Sequence, residues 1–182
     1  MRLLEKARIV RSCIGLAARG LAVTTVFVAA PAVAQVQNTG NFLSLDLAME
    51  AAAEAVHVCA ERGWPVSVSI VDAAGNVRLQ AKGDHSTVHT KDSSFRKAYT
   101  TVTMAPIFGF DVLSVWTEKL KTNPNAAAFA SLPDILLLPG AVAVRIKGEV
   151  VAAIGVGGAP GGEKDEACAA AGLAKIKGRL PQ

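Results

Sequence analysis

Two histidines four residues apart, His85 and His89, stand in a polar stretch just ahead of Arg96, Lys97 and Tyr99. Neutral imidazole is a strong ligand for iron, copper or zinc, and an adjacent guanidinium and ammonium suit a ligand that carries carboxylates, as haem does on its propionates. Without a metal, Arg96 or Lys97 could instead hold a small organic acid while His89 or Tyr99 moves a proton. The plain alternative is a solvated loop followed by an ordinary helix. No nucleophile elbow, Walker loop, His-Glu-x-x-His helix or Cys-x-x-Cys-His is present, so no catalytic residue is assigned.

A second stretch, Gly148 to Gly172, gives a strand over about 149–156, a loop holding Gly157, Gly158, Gly161 and Gly162, and a helix from near Glu163. Glu163, Asp165 and Glu166 fall in the first helical turn, where they complement the partial positive charge of unpaired N–H groups. That acidity argues against a phosphate cradle, which leaves the helix start open to an anion. The loop therefore reads as a pocket wall built from backbone, or as a plain connector whose glycines serve conformation alone.

These stretches must be positioned by a chain of 182 residues, and its beginning is set apart from the rest. Arg2, Lys6, Arg8, Arg11 and Arg19, a short apolar run over 21–30 and Ala32-Val33-Ala34 before Gln35 predict a signal peptide over 1–34 and a periplasmic or secreted product. The apolar run is too short for a stable membrane anchor. The leader holds five of the 19 basic and one of the 15 acidic residues, leaving 14 of each, so the basic pI points to no nucleic-acid partner. The remaining 148 residues predict a flexible lead-in over 35–42 and one domain over 43–182. Cys59 and Cys168, each among small apolar neighbours, could form a disulfide, but lacking any wider cysteine framework they read rather as buried thiols.

Ser44 is placed to cap a helix that reaches Arg62 and stops at Gly63, with Leu45, Met49, Ala52, Val56 and Cys59 facing a core. Glu50, Glu54, His57 and Glu61 form the opposite stripe, which reads as a solvated face before it reads as a metal site. Strands follow at 66–71 and 77–81, a hairpin with one half-buried face. Thr90 can cap a helix to about Met104, with Phe95, Ala98 and Val102 inward, and Ala105-Pro106 should break it. Helices over 111–120 and up to Ser131 form an insert, and strands at 135–138, 142–146 and 149–156 form a meander closed by the helix from Glu163 to about Lys177. The expectation is an α+β domain with a five-stranded, largely antiparallel sheet, packed by N- and C-terminal helices.

Four segments together, VSVSIVDAAGNV, RKAYTTVT, LPGAVAVRIKGEVVAAIGVGGAPGG and KDEACAAAGLAKI, resemble the GlcG/HbpS family, also called the haem-degrading domain family, over roughly Leu43 to Ile176. The resemblance implies a profilin-like fold, assembly into a symmetric homo-oligomer and, for some members, haem binding with slow degradation or a sensing role. Carried onto this chain, it points to His89, Thr90, Arg96, Lys97, Ala98 and Tyr99 and to Gly155, Gly157, Gly158, Gly161 and Gly162. His89 is the chosen iron ligand, with His85 or Thr90 behind it. The acidic stripe of the first helix resembles a Glu-rich iron-binding surface of one branch, interrupted here by His57. The expected product is an exported haem-binding protein; an organic-acid enzyme and a scaffold or sensor accessory without chemistry are the alternatives.

Overall fold

Period-two alternation in the central strands decides how the layers stack. The computed structural model describes residues 40–181, so the leader over 1–34 and most of the lead-in lie outside the described residues. The elements are α1 (Leu45–Ala60), β1 (Ser67–Asp72), β2 (Val77–Lys82), α2 (His89–Phe108), α3 (Leu113–Leu120), α4 (Ala126–Ala130), β3 (Ala141–Ile146), β4 (Glu149–Gly157) and α5 (Gly162–Lys177). The strands form one antiparallel sheet in the order β2-β1-β4-β3. Val68, Ile70, Ala152, Ile154 and Val156 face α1 and α5, while Ser67, Ser69, Val71, Ala153 and Gly155 face α2. The fold is thus α+β, with helices on both faces of the sheet. No helix among the described residues is long and apolar enough to cross a membrane.

The sheet has four strands, not five. Segment 135–138 runs as a loop because its backbone bonds to α2 side chains: Arg96 Nη2 donates to the Ile135 carbonyl at 2.8 Å, and the Leu136 N–H donates to Thr100 Oγ1 at 2.8 Å. Nor is β1 half-buried, since Ser67 and Ser69 are fully covered by α2. Their hydroxyls meet Thr90 Oγ1 at 2.7 Å and Ser94 Oγ at 2.8 Å, so each buried polar group finds a partner in the helix above it.

Helix α2 continues through Pro106 and ends at Gly109, which takes the left-handed conformation. A proline this close to the helix end removes only one late backbone bond, and the glycine supplies the stop. At its other end Thr90 does not cap. Val88 holds that position without a side-chain bond, and the Thr90 hydroxyl, already inside the helix, donates to the Thr87 carbonyl at 2.6 Å.

Ser44 caps α1 as expected, accepting from the Leu47 N–H. The inward face is displaced, however: Ala48, Ala51, Ala52, Ala55 and Cys59 are buried, whereas Leu45 and Met49 are about half exposed. The reason is the closeness of α5, where a Cβ on Gly172 would overlap the Ala51 carbonyl oxygen. Only alanines fit such a contact. The same approach joins Cys59 and Cys168 in a disulfide with Cα atoms 5.8 Å apart, so these are not two thiols. Glu50 and Glu54 pair with Arg179 and Lys175, and His57 with Glu61.

Gly155 lets α2 lie on the sheet. A Cβ there would overlap the Ser94 carbonyl oxygen and sit 2.6 Å from the Ala98 nitrogen, both backbone atoms that cannot swing aside. Gly155→Ala is therefore expected to lose about 1–3 kcal/mol in urea unfolding, with unchanged stability counting against this packing.

Candidate functional site

Where α2 begins, the glycine loop after β4 passes beside it, and the two enclose a cleft of 320 Å³. His89 and Ser93 line it from the first two turns of α2, Gly158, Ala159, Gly161 and Gly162 from the loop, and Leu138 from the segment before β3. Its floor is an ion pair: Lys97 Nζ donates to Asp165 Oδ2 at 2.6 Å, with both side chains about 95% buried. Asp165 Oδ1 also accepts from the Ala159 N–H at 2.9 Å, tying the first turn of α5 back to the loop that precedes it. Burial pushes the Asp165 carboxyl above its ordinary value of 3.8; the Lys97 charge and hydrogen bond oppose this, as do the Ala159 and Gly158 backbone bonds.

The acids of α5 do more than complement a dipole. Asp165 forms the cleft floor, and Glu166 accepts from the backbone N–H and the hydroxyl of Ser114 and from the Gly140 N–H, fastening α3 and the turn before β3. Helix-dipole reasoning accounts for acidity in that turn without saying which acid turns inward. The signal available was the buried-facing position of Asp165, three residues before Cys168 on the same helix.

His89 is exposed at the cleft rim, with Nδ1 3.1 Å from Thr87 Oγ1. If Nδ1–H donates to that hydroxyl, Nε2 carries the lone pair that a metal requires. His85 opens instead onto a separate cavity of 340 Å³ lined by Val56, Trp64, Pro65 and Asp84, so the two histidines do not share one pocket. Thr90 faces β1, and Arg96 is turned toward Ile135. Tyr99 packs beside Phe95, with ring centroids 5.7 Å apart, and over Gly75. Gly157 is buried in β4 beneath Ser93, whereas Gly158 lies at the cleft. The cleft therefore gathers His89, Lys97 and Gly158 and leaves out His85, Thr90, Arg96, Tyr99 and Gly157. Ser93, Leu138 and Asp165 join it without having been singled out as ligand contacts.

Haem needs an axial ligand, apolar surface for its ring and room for its carboxylates. The exposed imidazole of His89 meets the first need, and Val88 and Leu138, 78% and 53% exposed, offer apolar surface beside it. Lys97 and Arg96 are already engaged, and Lys91, exposed two residues along α2 and outside the cleft lining, has its ammonium 3.7 Å from Asp92 Oδ1. The residues fit the group at an open site rather than in an enclosed pocket.

No curated protein matches the chain. Among solved structures, a double-mutant form of HbpS from Streptomyces reticuli is 35% identical with a TM-score of 0.66, over 80% of this chain and 96% of that one. The ORFY protein of Klebsiella pneumoniae (22% identity, TM-score 0.68, 80% and 97% coverage) and PduOC in complex with heme (21%, 0.60, 74% and 95%) share the fold. The family model described as haem degrading protein HbpS-like matches residues 43–174, and the chain belongs to that HbpS-like family.

Proposed function

We propose that this chain is an exported haem-binding protein that takes haem at the cleft between α2 and the glycine loop, with His89 Nε2 as the iron ligand. The observation that carries the reading is the exposed His89 imidazole, oriented by Thr87 at the rim of a cleft in a chain of the HbpS-like family. Val88 and Leu138 would bear the ring, Lys91 would exchange its solvent-exposed contact with Asp92 for a propionate at the cleft rim, and the Lys97–Asp165 pair would hold the cleft floor rigid. Haem, when bound, would supply the redox-active iron; the chain's own residues would bind and orient it. A buried disulfide supports export, because such bonds persist in oxidising compartments. Self-association is supported by the exposed apolar side chains Ile107, Phe108, Val115 and Leu132.

Titration of the protein with hemin is expected to give a saturable Soret shift that His89→Ala abolishes and His85→Ala leaves intact. A shift indifferent to His89, or none in the wild type, would sink the assignment. Thermal stabilisation by small carboxylates without any Soret change would favour the organic-acid enzyme instead.

A further inference from the structure

We infer that a second site, on the far side of α5 from α1, binds an amphipathic anion: a carboxylate on an apolar chain or ring. It is a groove of 570 Å³ between the edge strand β3 and the C-terminal half of α5, within the size range of small-molecule sites. Val112, Val142, Ala143 and Leu173 give it an apolar floor, and the small side chains of Ala170 and Ala174 on α5 leave the space open.

The charge at one end is unbalanced. Arg145 spends its guanidinium on Asp111 at 2.6 Å and on the carbonyls of Gly148 and Phe110, which also consumes the one carboxylate that lines the groove. Lys147 and Lys177 remain, both exposed and both lining the groove, and neither has an ion-pair partner among the described residues. The neighbouring cations of the same helix end, Lys175 and Arg179, are turned toward Glu54 and Glu50 of α1. Two ammonium groups exceed the roughly half negative charge of the α5 C-terminus, so the net field in the groove is positive. An apolar floor with ammonium groups at one end complements a ligand with an apolar body and one anionic head, and it repels the corresponding cation.

The test is calorimetric titration of the purified protein with decanoate and, in parallel, decylammonium. Decanoate is expected to bind saturably and decylammonium not to bind. Lys147→Ala/Lys177→Ala, which changes only exposed side chains, should weaken decanoate at least tenfold, and Ala174→Phe, which fills the groove without altering charge, should do the same. The hemin Soret titration should be unchanged in both variants and decanoate binding unchanged in His89→Ala, so that failure of either site is read independently. Equal binding of the two amphiphiles, or decanoate affinity untouched by both groove variants, would overturn the inference.

Discussion

Lys97→Met is expected to cost about 3–5 kcal/mol of folding stability at neutral pH, because it strands the Asp165 carboxylate in the floor of the cleft. Asp165 is a short side chain, almost wholly buried and fixed by the Ala159 N–H, so it cannot swing out as a longer one could. The reverse change, Asp165→Asn, should cost less, since the four-carbon stem of Lys97 can swing its ammonium into the cleft that it lines. Lys97→Met/Asp165→Asn should recover much of the loss of the single lysine variant, because no buried charge then lacks a partner.

The pH dependence separates this account from simple mispacking. Burial raises Asp165 above 3.8 in the folded chain, so its contribution to stability is full below the unfolded value and is lost as pH rises through the folded one. Lys97 limits that rise. Without it the folded value climbs further, and Lys97→Met should lose stability relative to Lys97→Met/Asp165→Asn as pH rises from the unfolded carboxylate value through the raised folded one. Urea unfolding at several pH values measures this. Parallel profiles for the two variants would mean that Asp165 carries no buried charge.

Local signals located most elements, and contacts between distant elements explain where they failed. Ser44 and the Lys147-Gly148 reversal mark boundaries through their own backbone chemistry, whereas α1 ends at Ala60 and the left-handed Gly63 closes the turn after it rather than the helix itself. The face that α1 buries depends on how closely α5 approaches, and that distance is set at Gly172, more than a hundred positions away. Segment 135–138 has the apolar composition of a strand, yet Arg96 and Thr100 take its backbone groups first. Ser67 and Ser69 look solvent-facing by alternation and are buried because α2 brings Thr90 and Ser94 to meet them. In the cleft, His89, Lys97 and Gly158 were legible as residue types suited to a ligand. Which partner each takes was not, since Asp165 looks like any first-turn acid until the loop folds it over Lys97.

The cysteine pair yields the other large effect. Cys59→Ala/Cys168→Ala is expected to lower stability by about 4–5 kcal/mol, the chain-entropy value for a crosslink spanning 109 residues, and the melting temperature by roughly 10–15 °C. Both cysteines are wholly buried, so a reductant added to the native protein should act only as fast as the chain opens, and adding denaturant should speed reduction sharply. Two titratable thiols in the denatured protein from an oxidising compartment, or a melting temperature indifferent to the double substitution, would refute the crosslink's role. The disulfide also bears on the candidate site, because Cys168 lies one turn beyond Asp165 on α5. With the crosslink present, α5 is held to α1 by the disulfide and the exposed Lys175–Glu54 pair, and to α2 by the buried Lys97–Asp165 pair. Removing either the disulfide or the buried pair leaves the other in place, so Lys97→Met should disturb hemin binding more in the Cys59→Ala/Cys168→Ala background than in the wild type. Strictly additive effects on hemin affinity would show that the two fasteners act on α5 independently.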